Sequence, residues 1–352
     1  MRFFAIPERI TAGWIIVRLL AVAVVLFVGI GSWLTLVEDG RYGSGHWMTF
    51  FIFGLALGSV YALIALGYTL VYGILFMINF AHGEVFMAGT FTAFFAATYF
   101  ASEGLIEANP WIAIVLTLGV AMLTSLAVAL ILERVAYRPL RGAPRLVPLI
   151  TAIGASLFLQ YTFRGFYGAS ARAYPNFGLF RGSVDIFGVD VPEARIIVIV
   201  VAILLMIGLW LFIERTRTGR AMRAVSEDKD VAAMMGINVD RVIATTFAIG
   251  GLLAGAAGIL YIQIFNQVTA TMGFLPGIKA FTSAVMGGIG NVVGAMLGGM
   301  SLGILESVGP NLLLTGFGIP SPNSLKDVIA FTVLVLVLIF RPSGFLGRKE
   351  NV

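Results

Sequence analysis

Apolar runs of about twenty residues recur along almost the whole chain, and each is long enough to cross a hydrocarbon core of about 30 Å as a helix. Hydrophobic residues make up 59% of the sequence and charged residues only 12%, against about 45–50% and about 25% in soluble domains. The runs predict an all-α polytopic membrane protein. They argue against a β-barrel, whose strands alternate in polarity with a period of two.

The positions of these runs predict about ten transmembrane helices. The candidate spans are 15–37, 48–66, 84–101, 110–133, 146–163, 194–213, 241–265, 272–288, 291–309 and 326–341. The first run follows several arginines, and no small-residue cleavage site comes after it. We therefore interpret it as a retained span rather than as a cleaved signal peptide.

Three connections are rich in basic residues, and they set the expected orientation. They contain Arg134, Arg138, Arg141 and Arg145, then Arg215, Arg217, Arg220 and Arg223, and finally Arg341, Arg348 and Lys349. The positive-inside rule assigns these connections and the C-terminus to the cytoplasm. Two predicted spans separate the first two basic connections and four separate the last two, so the count of crossings agrees with this assignment.

One segment near the start of the chain does not fit a simple crossing. Residues 67–101 as a single helix would extend about 52 Å at 1.5 Å per residue, too long for one straight span. We expect residues 67–82 to form a half-helix that enters the membrane and breaks near Gly83. The sequence therefore predicts a broken or re-entrant region near 67–84.

A second broken region is expected near 272–291. There the apolar run is short, glycine is frequent and Pro276 occurs. Each interrupted region directly follows a long apolar span. Paired interruptions at corresponding places indicate possible inverted repeats around a central pathway. Close helix packing through small residues is the alternative explanation for the glycines.

Polar residues inside the apolar runs are the candidates for a substrate pathway: Asn79, His82, Gly83, Glu84 and Lys279. An ionisable group within a span costs about 2.5–3.5 kcal/mol on insertion scales, so such groups tend to be functional. Two interpretations stay open. Glu84 could cap the following helix while Asn79 and His82 bond the carbonyls that the preceding helix leaves open. Alternatively, these groups contact a passing solute.

Two further ionisable residues occur in the last third of the chain. Lys279 has a stem long enough to reach the interface by snorkelling, and a position in the pathway is its alternative role. Glu306 lies near the end of its apolar run, so we expect it at the membrane interface.

The longest polar connection on the expected cytoplasmic side is 214–241, and it predicts a short helix at about 227–235. Ser226 followed by two acidic residues is an N-cap signal. Gly236 followed by the apolar Ile237 is typical of a helix C-terminus.

This short helix carries Val231, Met234 and Met235 on one side. A helix of about nine residues is not stable alone, so its apolar side must rest on something. It either lies on the membrane domain or in the interface, or it docks into a groove of a cytoplasmic partner.

Several segments together resemble the permease subunits of branched-chain amino acid ABC importers. They are GLALGSVYALIALGYTLVYGILFMINFAHGEVFMAGT, ILERVAYRPLRGAPRLVPLITAIGASLFLQ, GRAMRAVSEDKDVAAMMGINVDRVIATTFAIGGLLAGAAG, GIKAFTSAVMGGIGNVVGAMLGG and the ending RPSGFLGR. The resemblance extends in order over roughly residues 48–350 and leaves out about the first 45. Permeases of urea and short-chain amide importers are closely similar.

The resemblance implies an ABC importer permease fold in a bacterial inner membrane. It also implies four partners: a second homologous permease, two cytoplasmic ATPase subunits and a periplasmic substrate-binding protein. The cytoplasmic loop would insert a coupling helix into an ATPase. By position and residue type, that role falls on Ser226, Glu227, Val231, Ala232, Ala233, Met234, Met235 and Gly236.

The resulting organisation has an N-terminal extension with an extra span (1–45), a permease domain (46–345) that includes the loop 214–241, and a cytoplasmic tail (346–352). No GxxxxGK[ST] pattern occurs, so we expect no enzyme, with ATP hydrolysis left to the partners. With no cysteine and two histidines, the chain offers no thiolate or histidine-rich metal site. We expect no cofactor and no nucleic-acid partner, because the basic residues cluster in short loops.

The sequence thus predicts a permease for branched-chain or related amino acids delivered by a binding protein. A urea or amide importer permease is one alternative. A proton-coupled secondary transporter or a channel that uses His82 and Glu84 is another.

Overall fold

The computed structural model describes residues 12–40, 42–144, 146–341 and 343–347. Within these ranges the chain forms thirteen α-helices and four short strands. The helices are α1 (Ala12–Trp33), α2 (Ser44–Leu75), α3 (His82–Ser102), α4 (Leu105–Ala108), α5 (Pro110–Leu132), α6 (Leu146–Tyr167), α7 (Glu193–Arg215), α8 (Arg217–Glu227), α9 (Lys229–Met234), α10 (Val239–Phe265), α11 (Phe274–Gly287), α12 (Val292–Leu314) and α13 (Lys326–Phe340). The strands β1 (Arg172–Ala173) and β4 (Gln267–Val268) pair with each other, as do β2 (Ser183–Ile186) and β3 (Val189–Pro192).

Nine helical segments within the described ranges are long and apolar enough to cross a membrane. The remaining predicted span, 272–288, is α11, which has only 14 residues. At 1.5 Å per residue it extends about 21 Å, less than a hydrocarbon core. The all-α, multi-span fold predicted from the apolar runs is therefore confirmed, with α11 as a short half-helix.

The first predicted interruption is present within the predicted region 67–84, but the helix before it has other bounds than expected. Residues 67–75 are not a separate half-helix, because α2 is continuous from Ser44 to Leu75. The chain leaves helical geometry at residues 76–81, which we call the break segment, and α3 then begins at His82. Gly83 lies within α3 instead of at the break, so its expected position as the break point is wrong.

The end of α2 explains why the sequence misplaced the break. The C-cap is Phe76, whose backbone is left-handed (φ 56°, ψ 28°) and whose N–H donates to the Tyr72 carbonyl at 2.8 Å. Helices commonly end on a left-handed residue, but that residue is usually glycine. A phenylalanine in this conformation has no signature in the sequence.

The second interruption repeats the arrangement of the first. The long helix α10 ends on Asn266, which is also left-handed (φ 54°, ψ 23°), and a mainly non-helical stretch then leads to α11. The helix α10 corresponds to α2 of the first half of the chain, and α11 corresponds to α3. The packing contacts correspond as well. The contact of α2 with α12 matches the contact of α10 with α5. The contact of α3 with α5 matches the contact of α11 with α12. The two halves of the chain thus share the same order of helices, which the predicted repeats require.

The C-terminal segment 343–347 folds back onto the end of α11. The N–H groups of Phe345 and Leu346 donate to the carbonyls of Met286 and Gly287 at 2.8 and 3.0 Å. These bonds satisfy carbonyls that the helix end leaves open. Three of the basic residues used for the orientation, Arg145, Arg348 and Lys349, lie outside the described residues, as do residues 1–11.

Candidate functional site

The starts of the two broken helices, α3 and α11, meet through glycines. A methyl group on Gly83 would overlap the carbonyl oxygen of Gly273 and would come within 2.9 Å of the Gly277 Cα. A methyl group on Gly273 would in turn come within 2.8 Å of the Glu84 Oε2 atom. Only residues without a Cβ allow the two backbones to approach this closely. The predicted pathway residue Gly83 therefore lies at the contact between the two halves of the fold.

Glu84 is in the first turn of α3 and is 1% exposed. Its Oε1 atom accepts hydrogen bonds from Gln160 Nε2 at 2.7 Å and from Ser156 Oγ at 3.4 Å, both on α6. Its Oε2 atom is buried and has no hydrogen-bond partner among the described residues. The expectation that Glu84 caps α3 by accepting from backbone N–H groups is wrong, since its partners are side chains of another helix.

His82 and Asn79 also have different partners from those expected. The His82 ring packs against Gly67, where a methyl group would overlap the imidazole, and lies 5.1 Å from the Tyr68 ring. Its Nε2 atom is buried without a hydrogen-bond partner in the described part of the chain. The Asn79 Oδ1 atom accepts from the Tyr137 hydroxyl at 2.8 Å. Neither side chain closes carbonyls at the end of α2, so that interpretation is wrong.

Lys279 belongs to a buried ion cluster that the sequence did not reveal. Its ammonium lies 2.7 Å from Glu306 Oε1 on α12 and 2.5 Å from Asp327 Oδ1 on α13. The Lys279 and Glu306 side chains are 4% and 1% exposed, so both are enclosed by protein. A carboxylate can lie this deep because the lysine offsets its charge. The sequence could not pair residues 27 positions apart.

In the cytoplasmic loop, a helix that the sequence did not predict, α8, precedes α9. Ser226 is part of α8, and its hydroxyl donates to the Arg223 carbonyl at 2.7 Å. The N-cap of α9 is instead Asp228, whose Oδ1 accepts from the N–H groups of Asp230 and Val231 at 2.8 and 3.0 Å. The predicted N-cap role of Ser226 is wrong, and Glu227 is the last residue of α8.

The predicted C-terminus of α9 is confirmed. Gly236 has φ 84°, its N–H donates to the Ala233 carbonyl at 3.0 Å, and the Ile237 N–H donates to the Ala232 carbonyl at 3.1 Å. These two bonds form a Schellman motif, which turns the chain sharply after α9.

The apolar side of α9 points away from the rest of the chain. Val231, Met234 and Met235 are 49%, 79% and 78% exposed, whereas Ala232 is buried. The alternative that this side rests on the membrane domain of its own chain is therefore wrong. The Ala232 side anchors α9, and the methionine side is left for another surface.

The amino-acid sequence places this chain in a known family. A family model described as "Branched-chain amino acid transport system / permease component" matches residues 50–338. The high-affinity branched-chain amino acid transport system permease protein BraD of Pseudomonas aeruginosa is 46% identical over 310 residues, which cover 87% of this chain and 97% of BraD. The corresponding permease protein LivH of Escherichia coli K12 is 42% identical over 302 residues, 84% of this chain and 94% of LivH.

Among solved structures, PsaBC from Streptococcus pneumoniae in complex with a Fab aligns with 87% of this chain and 95% of its own. The TM-score is 0.44 and the sequence identity is 14%, so the two structures are only weakly similar.

The chain therefore belongs to the branched-chain amino acid transport system permease family. It is a multi-pass membrane transport component and not an enzyme, as the sequence predicted.

Proposed function

We propose that this chain is the permease subunit of an ATP-driven importer that moves branched-chain amino acids delivered by a periplasmic binding protein. The observation that carries the proposal is the identity of 46% and 42% to BraD and LivH, which extends over nearly their entire lengths. Those two relatives are described as high-affinity branched-chain amino acid permeases. Matches of this kind to one substrate class favour it over urea or amides.

The complete importer in this proposal contains a second homologous permease and two cytoplasmic ATPase subunits. The exposed methionine side of α9 supports an ATPase as the docking partner, because methionine is adaptable and common at binding surfaces. Phosphate binding is assigned to the ATPases, since the chain has no GxxxxGK[ST] pattern. The coupling surface consists of α9 with its flanking residues Ser226, Glu227 and Gly236.

The proposed location is the bacterial inner membrane with the C-terminus in the cytoplasm. Arginines of the connections after α5 and α7 and at the end of α13 support this orientation. The count of crossings agrees if α11 and the stretch that precedes it complete one crossing together.

The proposed pathway passes the contact between the starts of α3 and α11. Gly83 lies there with the unpartnered Glu84 Oε2 atom beside it, and the unpartnered His82 Nε2 atom faces Gly67 of α2. Asn79 contributes by holding the break segment, and Lys279 by holding α11 through its ion pairs. A buried polar atom without a partner is costly, and a passing polar solute would supply that partner.

Glu84→Gln tests the direct role of the carboxylate. The amide oxygen can still accept from Gln160, so we expect the thermal unfolding midpoint to stay close to that of the wild type. If Oε2 contacts the amino acid, the turnover of the complete importer falls about tenfold, which corresponds to the lower end of a charged hydrogen bond. A variant with normal turnover would remove Glu84 from the pathway, and Gln160→Glu, which alters the same cluster from α6, serves as the comparison.

Uptake of labelled leucine into vesicles tests the function as a whole. We expect uptake to require the binding protein outside and ATP inside, to continue in the presence of an uncoupler, and to be competed by isoleucine and valine but not by urea. Gentle affinity purification should recover two ATPase polypeptides and a second permease. Uptake that the uncoupler abolishes at constant ATP would instead support a proton-coupled transporter, and uptake by the isolated chain without ATP would support a channel.

A further inference from the structure

Phe76 has an unusual backbone conformation for its residue type. A left-handed φ is rare and costly for a bulky side chain, yet Phe76 has φ 56° and its ring is exposed. At the corresponding end of α10 the same conformation is adopted by Asn266, a residue type that tolerates it better. The backbone alone therefore does not account for a phenylalanine at this position.

The Phe76 ring contacts the start of α9. The ammonium of Lys229, the first residue of α9, lies 5.9 Å from the ring centroid, within the range of a cation–π interaction. Burial lowers the pKa of this ammonium from its usual value, and the positive charge of Arg141 adds to the effect. This end of α9 is therefore packed against the chain, even though its methionines are exposed.

The rest of the break segment contacts three other elements. Asn79 binds the Tyr137 hydroxyl in the π-helical turn that follows α5. The Phe80 ring lies 5.4 Å from the ring of Phe281 on α11. Immediately after residue 81 the chain enters α3. The six residues of the break segment thus connect α9 at one end with the start of α3 and the middle of α11 at the other.

We propose that the break segment transmits movement from α9 to the two broken helices, and we call it the joint. Phe76 is the positioning residue that contacts α9. A displacement of α9 by an ATPase shifts the Phe76 ring. The break segment passes this shift on to the glycine contact between α3 and α11, because it leads directly into α3 and its Phe80 ring packs on Phe281 of α11. This inference rests on the proposed function, since it assumes that α9 docks into an ATPase.

Phe76→Asn in the complete, reconstituted importer tests the joint. Asparagine is the residue that ends α10, so it retains the helix end while it removes the ring. We expect an unchanged thermal unfolding midpoint and unchanged recovery of the ATPase subunits, because the methionine side of α9 is intact. The number of amino acids imported per ATP hydrolysed should fall about two- to fivefold, the factor that the strength of an exposed cation–π contact corresponds to.

Two control variants isolate the effect of the ring. Phe187→Asn makes the same change at another exposed, left-handed phenylalanine (φ 55°), in the β2–β3 turn, and it should leave the import ratio unchanged. Phe76→Tyr keeps the ring and should also retain the ratio. A normal import ratio in Phe76→Asn would overturn the proposed joint. A lower ratio that comes with a lower unfolding midpoint or with missing ATPase would overturn it too. A wild-type importer without ATP-dependent uptake would overturn the proposed function instead.

Discussion

Replacing Lys279 with Met should lower the free energy of unfolding by about 3–5 kcal/mol, the usual cost of removing one partner from a buried ion pair. Lys279 is the only cation within 3 Å of both Glu306 and Asp327 among the described residues. Without it, the Glu306 carboxylate remains buried between α11 and α12, and the half-exposed Lys326, 3.9 Å away, is the nearest cation left among the described residues. Denaturant titration of the purified chain in detergent micelles measures the loss.

Two further variants separate the buried charge from other effects. Lys326→Met removes a lysine that is half-exposed and lies 3.9 Å from Glu306, so it should cost less than about 1 kcal/mol. The double variant Lys279→Met with Glu306→Met should recover most of the stability, because an apolar pair of similar volume replaces the ion pair. If Lys279→Met unfolds at the wild-type denaturant concentration, the ion cluster contributes nothing to the fold.

The lengths and positions of the spans could be predicted from the sequence because they depend on local composition. An apolar run has to be helical in a membrane, where backbone groups find no water, and the ends of α5, α10 and α12 follow the predicted ends within a few residues. The end of α2 could not be predicted in this way. Residues 67–82 were predicted to form a separate half-helix, but Gly67 gives room to the His82 ring and α2 continues to Leu75.

The hydrogen-bond partners of the buried polar residues could not be predicted from the sequence. Glu84 binds α6 and Asn79 binds the turn after α5, at separations of 72–76 and 58 residues. From the sequence alone, a hydrogen bond to nearby backbone groups is the simplest role for such a side chain. Tertiary packing instead gives these side chains partners on other elements. The Ser226 prediction failed for a related reason, because Ser226 and Asp228 are both good caps and only the length of α8 decides between them. One signal was available: Glu306 and Lys279 are oppositely charged residues in consecutive apolar segments.

Replacing Met235 with Asp should remove the ATPase from the purified importer while the membrane domain stays folded. Met235 is the C-cap of α9 and 78% exposed, so an aspartate there is hydrated in the isolated chain and costs little stability. In a complex that buries this side of α9, the carboxylate would lose its water without gaining a partner. Loss of a central interface side chain typically weakens binding by at least about 30-fold, and burial of a charge adds to that.

The amount of ATPase that co-purifies with the variant measures this effect, and the thermal unfolding midpoint confirms that the chain is folded. Val184→Asp is a suitable control, since it places the same charge on another exposed apolar residue, in strand β2 rather than in the coupling loop, and should leave ATPase recovery at the wild-type level. Full ATPase recovery and uptake with Met235→Asp would mean that the methionine side of α9 faces lipid or water rather than an ATPase. The proposed joint would then lose its source of movement, because Lys229 reaches Phe76 from that same helix.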